Sequence, residues 1–195
     1  MEKPILFSTP MVKAIIAGKK TMTRRVIKDK VFQQWQDVGF SSDFIKRPDN
    51  NWIEKCPYGQ VGDILWVRET WNMLPANDRA GIPTDYWYRA DDKSENPDDR
   101  WRPSIFMPRV AARLFLKVTN IRVERLRDIT EEDAIAEGVL WNRAKKINEL
   151  EKSNNIINNA KTLFMRLWDS INSKRGYGWD INPWVWVVEF ERVQE

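Results

Sequence analysis

Three segments of the chain are predicted to be helices: residues 10–17, 129–138 and 156–173. In the first and the third, apolar residues recur at helical spacing. The second has a capping-box pattern at Thr130 and Asp133 and ends at Gly138. Thr9 can cap the first helix at its start, and Gly18 suits the left-handed turn at its end. The third segment is the longest and predicts an amphipathic helix with one buried face.

Runs of β-branched and aromatic residues predict strands between and after these helices. The predicted strands cover residues 21–27, 64–67, 86–88, 111–126 and 184–193. The segment 111–126 is predicted as one long strand or as two strands with a break near Asn120. Together with the helices, this order predicts an α+β fold with a curved mixed sheet or a small barrel.

Composition is typical of a globular protein with a packed core. Of the 195 residues, 42% are hydrophobic, and no apolar run reaches the length of about 20 residues that spans a bilayer. The segment MEKPILFSTP does not resemble a signal peptide, and a single cysteine, Cys56, cannot form an intramolecular disulfide. We therefore expect a cytoplasmic protein that does not interact with membranes.

The chain contains no histidine and one cysteine, which excludes several chemistries. Zinc sites of the usual kinds cannot form, nor can serine–histidine or cysteine–histidine catalytic pairs. Catalysis would have to use Lys, Thr, Ser, Asp, Glu, Tyr or Arg. No acidic cluster stands out as a magnesium site, and no cofactor is predicted.

The segment GKKTMTRR, residues 18–25, concentrates candidate chemistry at the end of the first helix. Thr23 is a candidate nucleophile, and Lys20 can accept its proton only if burial or neighbouring cations lower the lysine pKa. Arg24 and Arg25 can clamp a phosphate or a carboxylate, and because they alternate along a strand, only one of them faces a cleft. Simpler interpretations are also open, since cations are favoured after a helix end and threonine is common in strands.

Basic residues beside aromatic ones indicate a nucleotide ligand, because phosphates bind cations and bases stack on flat rings. The net charge is +4, and a second basic group interleaves with aromatic residues: Arg100, Trp101, Arg102, Phe106, Arg109 and Arg113. The candidate binding residues are Lys19, Arg24, Arg25, Arg68 and Trp71. Trp71 is the preferred stacking residue because it follows a predicted strand, where the loops of a barrel begin.

Four blocks of the sequence stand in one order: ILFSTPMVKAIIAGKKTMTRR, VGDILWVRETW, LRDITEEDAIAEGV and PWVWVVEFERV. In this order they resemble the ASCH domain of the PUA-like superfamily, in the long form encoded by phages and prophages. The resemblance implies one PUA-like mixed β-barrel domain over residues 1–195, with additions at 29–58, 72–105 and 141–160. It also implies a cleft between the first helix, the barrel and the short helix, and a link to RNA or modified nucleosides.

The resemblance extends distantly to bacterial N(4)-acetylcytidine amidohydrolase, which uses a lysine, a threonine and a glutamate. These fall on Lys20, Thr23 and Glu137, and they are the candidate catalytic residues. The additions and Arg24, directly after Thr23, depart from that enzyme's pattern, so the substrate does not carry over directly.

Three functions follow from the residues and the resemblance. The first is recognition, with metal-independent amide hydrolysis as the candidate reaction, of an acylated cytosine-type nucleoside or nucleic acid. In that reaction Lys20 acts as a base or, if charged, stabilises an oxyanion while Glu137 acts as the base. The second is a non-catalytic module that binds RNA or DNA, and the third is RNA cleavage. Lys20 and Glu137 are also open to interpretation as a plain ion pair.

Overall fold

The computed structural model describes residues 1–28, 53–74, 84–92, 100–139 and 160–193. The helices and strands are β1 (Glu2–Leu6), α1 (Thr9–Ile16), β2 (Met22–Val26), β3 (Ile64–Arg68), β4 (Trp71–Leu74), β5 (Asp85–Tyr88), β6 (Phe115–Arg125), α2 (Glu131–Ala136), α3 (Ala160–Asn172) and β7 (Trp184–Arg192). Single 3₁₀ turns are formed by Ile53–Lys55, Ser104–Phe106, Arg109–Ala111, Leu126–Asp128, Ser173–Arg175 and Trp179–Ile181. Within these ranges, no helix has both the length and the apolar character needed to cross a membrane.

In the described part of the chain, five strands form a mixed sheet in the order β1-β3-β6-β7-β2. β1 runs parallel to β3, and the other neighbouring strands are antiparallel. β4 and β5 form a separate antiparallel sheet. The predicted α+β class with a mixed sheet is therefore confirmed. β1 and β2 are the edges of the larger sheet, which stays open because the described residues show no pairing between them.

The larger sheet is covered on both faces, and β7 shows this best because its first five residues are all buried. Trp184, Trp186 and Val188 belong to a core that includes residues of α1. Val185 and Val187 belong to a second core, which includes residues of α2 and α3. The sheet therefore separates α1 from α2 and α3. Because both faces of β7 are buried, its sequence is a nearly continuous run of apolar residues.

Several local predictions are confirmed and others are corrected. β6 is one strand, with a register shift between Val118 and Asn120. The Thr130 side chain caps α2 by accepting a hydrogen bond from the Asp133 backbone N–H at 3.1 Å. The N-cap of α1 is Ser8, so the prediction of Thr9 at that position was wrong by one residue.

β1 and β4 were not predicted, because the physical signal in each is weak. β1 has a single buried residue, Ile5, and contains Pro4, which is tolerated since β1 is an edge strand. β4 has only four residues and begins one residue before the predicted addition at 72–105. β5 lies inside that addition. The predicted additions at 29–58 and 141–160 lie largely outside the described residues.

Candidate functional site

The C-terminal end of α2 packs against the turn between α1 and β2. The Thr21 N–H donates to the Ala136 carbonyl at 2.9 Å. Gly138 follows at φ +80°, and a Cβ there would lie 3.0 Å from the Lys20 Cβ and 3.1 Å from the Ala14 Cβ. Glycine adopts positive φ without strain and has no Cβ that would press on Lys20 and Ala14. Gly138 therefore allows the close approach that places Glu137 beside Lys20.

Gly138→Ala is expected to destabilise the protein more than Gly176→Ala does. Both glycines adopt positive φ, but a Cβ at Gly176 meets nothing within 4 Å. Alanine at positive φ therefore destabilises both variants. The overlap with Lys20 and Ala14 should lower the free energy of unfolding of the Gly138 variant by about 1–3 kcal/mol more. Urea denaturation of both variants measures the difference, and equal losses would show that the close approach is not required.

Lys20 and Glu137 form a buried ion pair. The two residues are 2% and 5% exposed. Lys20 Nζ donates to Glu137 Oε2 at 2.8 Å, to the Glu137 carbonyl at 3.0 Å and to the Met22 carbonyl at 2.7 Å. Burial lowers the pKa of Lys20, and the Glu137 carboxylate opposes this shift. Three acceptors around one nitrogen match the three N–H donors of the ammonium form, so we assign Lys20 as charged.

Arg24 joins this pair to a wider network of charges. Its Nη2 donates to Glu124 Oε2 at 3.0 Å and to Asp133 Oδ2, and its Nη1 lies 3.7 Å from Glu137 Oε1. Arg122 Nη2 also donates to Asp133 Oδ2, at 3.0 Å. Arg24 is therefore held by carboxylates from β6 and α2, a position in which it fixes α2 against the sheet.

Two buried polar atoms in this cluster have no hydrogen-bond partner among the described residues, Glu137 Oε1 and Arg24 Nε. A buried carboxylate oxygen without a donor is costly, and such atoms in folded proteins commonly receive a hydrogen bond from water or a ligand. Glu137 thus has one oxygen fixed by Lys20 and one available as an acceptor.

Thr23 and Arg25 lie on the face of β2 opposite Arg24. They pair with Val188 and Trp186, whose side chains belong to the core that includes α1. Arg25 is half-buried, donates to the Leu6 carbonyl at 2.6 Å and lies 5.2 Å from the Phe7 ring centroid. Lys20 Nζ lies 5.5 Å from the same centroid. Arg25 is therefore the cation that neighbours the Lys20–Glu137 ion pair on the side of Phe7.

The structure does not bring the remaining predicted site residues to this cluster. Lys19 is exposed. Arg68 donates to the Ile105 carbonyl and lies 5.5 Å from the Trp66 ring centroid. Trp71 is 3% exposed, with the Arg102 guanidinium 5.3 Å from its ring centroid and the Tyr86 ring at 6.0 Å. This burial contradicts the expectation that Trp71 is available to stack a base.

Members of the second basic group are engaged in ion pairs. Arg109 forms two hydrogen bonds with the Glu2 carboxylate, at 2.8 and 3.0 Å. Arg113 does the same with buried Glu69, at 3.0 and 3.1 Å, and also pairs with Asp91. Arg100 and Arg102 are exposed. Because two of these arginines are paired with carboxylates, their clustering in the sequence overstates the positive charge that is available to a ligand.

Sequence reasoning missed three residues of the network, Glu124, Asp133 and Arg122. A signal for Asp133 is present, because it precedes Glu137 by four positions and so shares its side of α2. Arg122 and Glu124 alternate with apolar residues on β6, which indicates only that they share one face of that strand.

No family model and no curated protein matches the chain. Two solved structures are similar to it. Protein EF3133 from Enterococcus faecalis V583, described under the family model DUF984, is 10% identical, with a TM-score of 0.40 over 93% of this chain and 65% of that chain. An ASCH domain from Lactobacillus crispatus JV V101 is 11% identical, with a TM-score of 0.35 over 93% of this chain and 69% of that chain. The chain thus spans about 65% of the first structure's length. The description of the second names the ASCH domain, the family that the four sequence blocks resemble.

Proposed function

We propose that Lys20, Thr23 and Glu137 form a site that binds a nucleoside with an acylated cytosine-type base and hydrolyses its amide. We base this on Glu137 Oε1, a buried carboxylate oxygen without a donor beside a charged lysine. A general base needs such a free acceptor atom, and the charged lysine supplies positive charge where an oxyanion develops.

In the proposed reaction, Glu137 takes a proton from a water molecule or from the Thr23 hydroxyl, and the oxygen attacks the acyl carbon. The oxyanion replaces one of the three acceptors around the Lys20 ammonium. The C–N bond then breaks, the exocyclic amine takes the proton from Glu137, and the products are a cytosine-type nucleoside and a carboxylic acid. If Thr23 is the attacking group, a water molecule afterwards hydrolyses the threonine ester.

The cluster is buried, so a substrate reaches it only when a neighbouring group moves. Arg25 is suited to this, because it is half-buried and lies beside the Phe7 ring that Lys20 also approaches. In the proposal, Arg25 leaves the Leu6 carbonyl and binds a polar group of the substrate. Arg24 keeps a positioning role because three carboxylates surround it.

A second candidate function is non-catalytic binding of RNA or DNA. It is favoured by Arg100 and Arg102, which are exposed on either side of Trp101. Its affinity should fall steeply with salt, because phosphate contacts release counterions. RNA cleavage remains the third prediction and would shorten a polymer.

The proposal is tested by incubating the purified chain with N(4)-acetylcytidine and measuring cytidine and acetate. We expect turnover that Thr23→Val abolishes if threonine attacks and leaves within a few fold if water attacks. Turnover should tolerate salt, because the substrate carries no phosphate. Absence of turnover in the folded wild-type protein would reject the proposal and favour the binding function, to be measured by salt-dependent titration with RNA and DNA.

A further inference from the structure

Arg24 and Glu137 face each other without forming a hydrogen bond. Arg24 Nη1 lies 3.7 Å from Glu137 Oε1, beyond hydrogen-bond distance, and Oε1 has no donor among the described residues. Within the same part of the chain, Arg24 Nε has no acceptor, and Nη1 donates to Met22 Sδ at 3.2 Å. A thioether is a weak acceptor, whereas guanidinium and carboxylate form strong hydrogen bonds. Other contacts must therefore hold the guanidinium away from the carboxylate.

The guanidinium of Arg24 is held at its other terminal nitrogen. Arg24 Nη2 donates to Asp133 Oδ2 and, at 3.0 Å, to Glu124 Oε2. Both carboxylates are fixed in turn by Arg122, which donates to Asp133 Oδ2 at 3.0 Å and to Glu124 Oε1. Arg122 also pairs with Glu189 of β7. These ion pairs join β6, β7 and α2 around Arg24 and fix the position of its guanidinium.

Asp133 and Glu137 compete for Arg24, because both belong to the same side of α2. The Glu137 N–H donates to the Asp133 carbonyl at 2.9 Å, so the two residues are one helical turn apart. Glu124 belongs to β6, so it does not decide which carboxylate of α2 binds Arg24. Without the Asp133 carboxylate, Glu137 would be the α2 carboxylate left within ion-pair distance of Arg24 among the described residues.

We propose that Asp133 is a positioning residue, because it binds Arg24 and so leaves Glu137 Oε1 free to accept a proton. This inference rests on the proposed function, in which Glu137 is the general base. Lys20 already donates to Glu137 Oε2 at 2.8 Å, so a guanidinium on Oε1 would put cationic donors on both oxygens. Such hydrogen bonds stabilise the charged form of a carboxylate and oppose proton uptake. Arg24 is therefore compatible with the reaction when Asp133 holds it.

The test compares Asp133→Ala with the wild type in the hydrolysis of N(4)-acetylcytidine. We expect kcat to fall about 10- to 150-fold, the equivalent of one hydrogen bond to a charged group. KM should stay within a few fold, because Asp133 does not touch the substrate. Asp133→Glu restores a carboxylate and should recover most of the loss. Alanine keeps the backbone N–H that donates to Thr130 at 3.1 Å, so the cap of α2 is retained.

The matched control is Glu132→Ala, which removes an exposed carboxylate from the neighbouring position of α2. Its kcat should stay within a few fold of the wild-type value. In an active wild type, equal kcat of Asp133→Ala and Glu132→Ala would overturn the inference, as would a loss confined to KM.

A crystal structure of Asp133→Ala gives a second measurement, which does not depend on turnover. We expect Arg24 Nη1 to approach Glu137 Oε1 to about 2.9 Å, the usual length of such a hydrogen bond. A distance that stays at 3.7 Å would overturn the inference. If Asp133→Ala does not fold, Asp133→Asn provides both measurements, with smaller changes in the same direction. If the wild type shows no turnover, the proposed hydrolysis is rejected, and this distance still decides whether Asp133 holds Arg24 away from Glu137.

Discussion

Lys20→Met is expected to lower the free energy of unfolding by about 3–5 kcal/mol, the usual cost of breaking a buried ion pair from one side. Methionine keeps the apolar packing of the lysine stem, so the loss of stability comes from removing the Lys20 ammonium. Among the described residues, Arg24 would be the one cation still within ion-pair distance of Glu137, at 3.7 Å, and the Met22 and Glu137 carbonyls would lose their shared donor. Urea denaturation followed by tryptophan fluorescence measures the change.

Two further variants test whether this loss of stability comes from the buried ion pair. Lys19→Met removes the adjacent, exposed lysine and should change stability by no more than about 0.5 kcal/mol. The double variant Lys20→Met/Glu137→Leu removes both charges and should recover much of the loss, since a buried pair is often replaceable by apolar residues. Similar stability of the Lys20→Met and Lys19→Met variants would show that the pair contributes nothing to folding.

Glu137→Gln is expected to lower kcat for N(4)-acetylcytidine by about 10²–10⁴-fold, the usual contribution of a general base. The amide has nearly the same shape as the carboxylate but cannot take a proton from water or from Thr23. Single-turnover release of cytidine measures the effect, at a temperature where circular dichroism shows the variant folded.

The matched control for this experiment is Glu124→Gln. Glu124 also pairs with Arg24, but it belongs to β6 and forms no hydrogen bond or ion pair with Lys20 among the described residues. Its variant should retain kcat within a few fold. Equal losses in the two variants would assign Glu137 a structural role only, as an ion pair that holds α2 against the turn after α1.

The sequence predicted those elements whose signal is local. α1, α2 and α3 were found because apolar spacing, Thr130 and the glycines act within a few residues. β7 was found because it is a long apolar run. β1 and β4 were missed because an edge strand and a four-residue strand are stabilised mainly by distant partners, which leave little trace in their own residues.

For the candidate site, the sequence identified residue types and their order along the chain. The alternation of Arg24 and Arg25 across β2 was predicted and is confirmed, because the strand period is a local property. The choice of Lys20, Thr23 and Glu137 came from resemblance to a family, and their catalytic role stays a prediction. So do the cytoplasmic location and the phage-type origin.

The sequence by itself therefore determined the α+β class, most of the helices and strands, the exclusion of histidine chemistry and the candidate residues. Only the tertiary structure decided that Lys20 meets Glu137, 117 positions away, that Arg24 is held by Glu124 and Asp133, and that Trp71 is buried. The physical reason is that pairing and burial depend on strand register and on the packing of α2, which are set by contacts far apart in the chain.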